Sequence, residues 1–159
     1  MIRSCLAMAF AVALSTVASS ALAQDLPNSC TLLTPAEVSQ AIGITSLAGH
    51  YMGSSINNVC IFAATAKFGP SERQIVVTVT SPALFDASNR PNGPSHSTPA
   101  TVTGAEAYFL TFGKVTTIHV RKNGKAFEVR MNPGAAGHET AAELQGIETS
   151  LAGKAAGRV

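Results

Sequence analysis

Two tight-turn signals near the C-terminal end, Gly113-Lys114 and Asn123-Gly124, constrain the fold of this chain more than any other feature. Asn-Gly favours a type I′ hairpin turn, and Gly at the first central position favours type II′. Two-residue turns fix the strand register, because a slip by one residue would turn every side chain to the other face. The spacing therefore predicts a three-stranded antiparallel meander over 107–112, 115–122 and 125–131.

The predicted register collects apolar side chains on one face of this meander. Phe109 lies opposite Ile118, which in turn lies opposite Val129. Val120 lies opposite Phe127. Because side chains alternate between the faces of a strand, the two turns independently select the same apolar face. The agreement indicates an antiparallel sheet with one face buried.

Helices are predicted on either side of the strands. Thr34 is a suitable N-cap, Pro35 suits the first helical position, and Glu37 completes a capping box. Gly43 can adopt the left-handed conformation that ends a helix. The other predicted elements are a short edge strand near 47–52, strands over 59–66 and 73–80, a short helix after Ser81-Pro82 with Leu84 and Phe85 as its apolar contacts, a mobile surface loop over 90–100, and a C-terminal helix over 138–152. The fold class is α+β: an antiparallel meander with an N-terminal and a C-terminal helix packed on one face.

The first 23 residues have the pattern of a secretory signal peptide. Arg3 gives a positive start, 6–14 is an apolar run too short to span a bilayer, and small residues precede a cleavage site after Ala23. No Cys stands at the cleavage point, so we expect no lipid anchor and no membrane anchor after cleavage. The prediction is a signal peptide over 1–23 and a single domain over 24–159, located in the periplasm or secreted.

The charge balance of the mature chain excludes several classes of partner. Cleavage after residue 23 of 159 leaves 136 residues, a length suited to one domain, which we expect to be monomeric. Only Arg3 among the charged residues is lost, so ten basic residues remain against nine acidic ones. This balance gives no clustered basic face for nucleic acid and no polybasic patch for a membrane surface.

Two cysteines, Cys30 and Cys60, remain after Cys5 is removed with the signal peptide. In an oxidising compartment, a lone pair in a small domain is most simply a structural disulfide. The alternative is a redox pair, which normally uses Cys-x-x-Cys spacing, and that spacing is absent.

The segment that begins at Cys30, Cys-Thr-Leu-Leu-Thr-Pro-Ala-Glu-Val, and ends at Gly43 resembles the opening of a family of small exported bacterial proteins and lipoproteins of unknown function. Cys60-Ile61-Phe62 and the segment 104–109 (Gly-Ala-Glu-Ala-Tyr-Phe) are similar to later motifs of that family. The resemblance implies a PsbP-like α+β fold. It carries over no catalytic residue, and the chain departs from the lipoprotein members by lacking their lipid-attachment Cys.

The polar face of the meander provides the candidate site. The register aligns Tyr108, His119 and Glu128 across three strands, with Arg121 and Arg130 beside them. A His between a phenol and a carboxylate could act in acid–base chemistry, with Glu128 raising the imidazole pKa. The alternative is a solvated sheet face on which opposite charges pair across strands.

Motifs for catalysis are missing: there is no Gly-x-Ser-x-Gly, no zinc spacing among the histidines and no phosphate loop. We therefore expect a binding module without catalytic residues or cofactor. It would bind an envelope or extracellular protein, or a small ligand held between the polar sheet face and the 90–100 loop. One competing hypothesis is an acid–base enzyme that uses His119 and Glu128. Another is a haem or metal carrier that uses His50 and Met52. Tyr51 between them would point to the opposite face of an extended segment, so one metal could not easily collect all three side chains.

Overall fold

Seven strands form a single antiparallel sheet in the computed structural model, which describes residues 26–52, 58–66, 69, 71–92 and 95–159. The spatial order of the strands is β1-β2-β3-β7-β6-β5-β4. The elements are a short 3₁₀ turn Ser29–Thr31, helices α1 Pro35–Ile42, α2 Pro82–Ser88 and α3 Ala141–Ala156, and strands β1 His50–Tyr51, β2 Val59–Ala63, β3 Gln74–Thr80, β4 His96–Pro99, β5 Glu106–Phe112, β6 Val115–Lys122 and β7 Lys125–Asn132.

The meander of β5, β6 and β7 has the predicted register. Ile118 pairs with both Phe109 and Val129. Asn123 has φ +51° and the following glycine +72°, as a type I′ turn requires. Gly113 has φ +61° at the first central position of the other turn. Local turn chemistry therefore fixes three of the seven strands.

Helices α1 and α3 contribute to one apolar core on the same face of the sheet. Val38 and Ile42 of α1 join Leu151 of α3 in a cluster with Ile118 and Val120. Both helices begin with a full capping box, in which a threonine and a glutamate three residues later exchange hydrogen bonds with the backbone. The α+β class and the placement of the two helices are confirmed.

The short helix α2 covers part of the opposite face. Ser81 caps it as predicted, and Phe85 packs against Tyr108 and Ala126. Leu84 was predicted to be a second apolar contact, and that prediction is wrong, since its side chain is 58% exposed. Burial on both faces makes the sheet the central layer of the domain.

The predicted disulfide is present. Cys30 and Cys60 are bonded, which ties the start of the chain to β2, and Cys60 is fully buried. Gly49 lies directly against this bond, because a Cβ at that position would stand 2.6 Å from the Cys60 sulfur and 2.8 Å from the Phe62 ring. The core therefore encloses the Cys60 end of the disulfide, and Cys30 packs partly buried against the core.

Several boundaries differ from the prediction. The segment 90–100 is not wholly a loop, because His96–Pro99 forms β4 on the edge of the sheet. An exposed edge strand needs no apolar alternation and tolerates proline, so its sequence gives no strand signal. The C-terminal helix begins at Ala141, β2 ends at Ala63, and the edge strand near 47–52 is limited to two residues.

The predicted signal peptide lies outside the described residues. Among the helices described here, none combines the length and the apolar composition that a membrane crossing requires.

Candidate functional site

The predicted polar row is present and runs across β5, β6 and β7. Tyr108 pairs with His119, and His119 pairs with Glu128. The imidazole stacks on the phenol ring, with 4.8 Å between centroids and 8° between planes. The register alone predicted this alignment.

The row is not a solvated face, because α2 closes over two of its three members. Tyr108 is 3% exposed and His119 is 4% exposed. The Tyr108 hydroxyl donates a 2.7 Å hydrogen bond to the carbonyl of Phe85, and the two rings pack at 4.9 Å. Tyr108 and His119 therefore act as the floor on which α2 sits and are not accessible to a partner.

Burial also sets the charge state of the row. It lowers the pKa of His119 to about 4 and raises that of Tyr108 to about 12, so both side chains are neutral near pH 7. It raises the pKa of Glu128, against the charge of Arg130. His119 Nδ1 is 3.3 Å from Glu128 Oε1, but the approach lacks hydrogen-bonding geometry.

A small cavity of about 90 Å³ beside the row is lined by Glu128, and His119 is not among its lining residues. No substrate could reach the imidazole through this cavity. The arrangement does not place an acid and a base around a reacting atom.

Arg121 is held by contacts of its own. Its guanidinium donates hydrogen bonds to Asp86 Oδ1 at 2.7 Å and to Glu106 Oε2 at 2.5 Å. It also lies over the Phe85 ring, 4.8 Å from the centroid. These contacts fasten α2 to β5 and β6, so Arg121 stabilises the helix and is not free for a ligand.

Arg130 lies beside a separation between β6 and β7. The ladder between these strands extends from Lys122↔Lys125 to Ile118↔Val129 and stops there. Both strands continue: β6 reaches Val115 in pairing with β5, and β7 reaches its last residue in pairing with β3. We call this separation, between 115–117 of β6 and 130–132 of β7, the fork.

A cavity of about 570 Å³ opens at the fork. This volume is within the range of pockets that hold small organic ligands. Its floor is apolar, with Met131 and Leu144 both buried. The full lining is Lys114, Val115, Arg130, Met131, Asn132, Pro133, Gly137, His138, Glu139 and Leu144.

The charges around this cavity are predominantly positive. Lys114 and Arg130 make no ion pair and donate no hydrogen bond within the described part of the chain. The carboxylate of Glu139 is already paired with Arg73. The cavity thus combines two available cations with an apolar floor, which suits an organic anion.

A buried acid, Glu148, lies directly behind the cavity and was missed by the sequence analysis. It is fully buried, and its Oε1 accepts a 3.0 Å hydrogen bond from the Met131 N–H. Burial raises the pKa of this carboxyl to about 7, against the effects of Met131, Thr116 and Arg130. Although Thr116 is near enough to act on the pKa, neither its hydroxyl nor Glu148 Oε2 has a hydrogen-bond partner of good geometry among the described residues.

The sequence did contain a signal for this acid. Leu144, Leu151 and Ala152 mark the buried face of α3, and Glu148 lies four residues after the first of them. A charged residue at a core position of an apolar helical face is unusual and points to a special role.

The structure places the suggested haem or metal pair at one edge of the sheet. His50 lies in β1 and Met52 is a half-exposed side chain just after it. Within the described ranges, no three His, Cys, Asp or Glu side chains come together as a metal site would need.

Comparison of the chain with protein-family models, with curated proteins and with solved structures gives no match. The PsbP-like resemblance stays a prediction.

Proposed function

We propose that the protein is an exported binding domain whose ligand is a small organic anion held in the cavity at the fork. The observation that carries this proposal is that two cations, Lys114 and Arg130, line the same cavity as the apolar side chains Met131 and Leu144. A carboxylate or phosphate group would lie between the two cations. The apolar part of the ligand would contact Met131 and Leu144.

The disulfide supports the exported location, because such bonds persist in oxidising compartments such as the periplasm or the outside of the cell. Binding is favoured over catalysis because His119 is buried, and because neither His119 nor Glu128 lines the cavity at the fork.

The test uses octanoate as the probe, since it joins one carboxylate to a short apolar chain. NMR titration of the ¹⁵N-labelled mature protein should shift the amides of 114–117 and 130–132 and saturate. Octylammonium tests the sign of the charge, and inorganic phosphate tests whether the apolar part is needed; we expect both to bind at least tenfold more weakly.

Matched variants assign the site. The double substitution Lys114→Ala and Arg130→Ala should weaken octanoate at least tenfold, while Lys125→Ala, at the distant turn of the same strand pair, should leave it unchanged. Equal binding of octanoate and octylammonium, or unchanged affinity in the double variant, would reject the proposal.

A further inference from the structure

The β6–β7 ladder stops just before a position where the two strands would next exchange backbone hydrogen bonds. In a two-residue hairpin the residues that flank the turn form a hydrogen-bonded pair, and such pairs recur at every second position. Lys122↔Lys125 is the first, and Ile118↔Val129 is the last that forms. The next would join Met131 to Thr116.

Glu148 takes the donor that this next pair needs. The Met131 N–H donates to Glu148 Oε1 at 3.0 Å, so it is not available to the Thr116 carbonyl. Beyond this pair, Pro133 would lie opposite Lys114 and has no N–H to contribute. Only one more hydrogen-bonded pair could therefore form, and Glu148 prevents that one.

The arrangement leaves part of the Glu148 carboxyl without a hydrogen bond. Glu148 is fully buried, and its second oxygen has no hydrogen-bond partner among the residues described. A buried carboxyl with an unpartnered oxygen destabilises a core compared with an apolar side chain of similar size. Glu148 lies on α3 one turn after the cavity residue Leu144, and its hydrogen bond to Met131 connects it to a second residue of the cavity lining.

We infer that Glu148 is a positioning residue: it keeps β6 and β7 apart by holding the Met131 amide, and it makes anion binding at the fork depend on its own protonation. An anion beside Arg130 interacts more favourably with a neutral Glu148 than with an ionised one. The dependence of anion binding on Glu148 rests on the proposed function. The separation of β6 and β7 by Glu148 is independent of it.

The groups around Glu148 are few. Arg130 on β7 and the Thr116 hydroxyl on β6 both lower the pKa of Glu148. From α1, Glu37 is engaged by Arg158, and from the far end of β6, Lys122 donates to the carbonyl of Ala156.

The cavity has a titratable lining residue of its own, His138. A His138→Asn variant therefore serves as the control for the pH dependence of binding.

The first experiment needs no ligand. In an antiparallel ladder a non-hydrogen-bonded pair brings two Cα atoms within about 4.5 Å, which gives a strong NOE between their α-protons. The E148L variant removes the acceptor, so the ladder should extend and a new NOE should join Thr117 to Arg130. E148Q keeps an acceptor oxygen, so it should lack this NOE, as the wild-type protein should. An E148L spectrum without the NOE, from a folded variant, would overturn the inference about the fork.

The second experiment measures octanoate affinity from pH 6 to pH 8. Wild-type affinity should fall severalfold as the pH rises, E148Q should bind with little pH dependence, and E148L should bind at least tenfold more weakly. If E148Q kept the wild-type pH dependence of octanoate affinity, the inference that binding depends on Glu148 protonation would be overturned. Loss of that pH dependence in His138→Asn would overturn it as well. If octanoate fails to bind the wild-type protein, the proposed function fails, and the NOE experiment still decides whether Glu148 holds the fork open.

Discussion

Two buried groups on opposite faces of the sheet should give opposite pH dependences to the stability of this protein. Glu148 reaches the sheet from α3 on one face, and His119 lies beside Tyr108 on the face that α2 partly covers. Burial raises the pKa of Glu148 from 4.5 to about 7 and lowers the pKa of His119 from 6.5 to about 4. In each case the folded state favours the neutral form.

The signs follow from the protons bound in each state. Between pH 4.5 and 7 the folded protein keeps a proton on Glu148 that the unfolded chain has released, so stability falls as the pH rises. Between pH 4 and 6.5 the unfolded chain binds a proton on His119 that the folded protein excludes, so stability rises with pH. The windows overlap, and the two effects oppose each other within the overlap.

The magnitudes are nearly equal. From pH 5 to pH 6.5 each of these pKa shifts changes the free energy of unfolding by roughly 1.5–2 kcal/mol, and the two changes have opposite signs. The two contributions should therefore largely cancel in the wild-type free energy of unfolding. In E148Q only His119 of the two contributes, so the free energy of unfolding should rise by roughly 1.5–2 kcal/mol over this interval. In His119→Phe only Glu148 contributes, so the free energy of unfolding should fall by a similar amount.

Urea denaturation at several pH values measures these slopes directly. The acids with lowered pKa, Glu37, Glu139 and Glu143, titrate below this interval. Glu128 is retained in every variant, so differences from wild type isolate the substituted group. The double variant should return to a nearly flat profile, because the two sites lie on opposite faces and share no contact. Flat profiles in both single variants would refute the reasoning, since neither group would then be buried in its neutral form.

Three further predictions concern stability. Replacing both Cys30 and Cys60 by Ala should lower the free energy of unfolding by about 3.5 kcal/mol, the loop-closure entropy for a separation of 30 residues, and equal urea midpoints for the variant and the wild type would contradict this. Thr140→Ala removes the N-cap of α3 and should cost about 1 kcal/mol in the same assay, whereas Thr140→Ser should cost little. Gly49→Ala should destabilise by about 1–3 kcal/mol because the new methyl group would overlap the disulfide and the Phe62 ring, and an unchanged thermal midpoint would show that this region can relax.

The short-range chemistry of the sequence was sufficient for the meander and its row of polar residues. Asn123-Gly124 and Gly113-Lys114 need positive φ at defined positions, so they fix the register before any tertiary contact forms. The cap of α1 by Thr34 is equally local, because donor and acceptor lie three residues apart. The disulfide was predictable from the count of cysteines in a chain with the pattern of a signal peptide.

Tertiary structure alone decided whether that row is accessible and where the cavity lies. Whether His119 faces water depends on α2 folding back over β5 and β6, and no local pattern encodes that return. The fork depends on Glu148, separated by 17 residues from the amide that it holds. A residue on α3 competes there with a residue on β6 for one N–H on β7, and such a competition has no counterpart in local sequence. The sequence alone therefore determined the strand registers and the helix caps, while long-range packing determined which polar groups are buried and which remain open to a ligand.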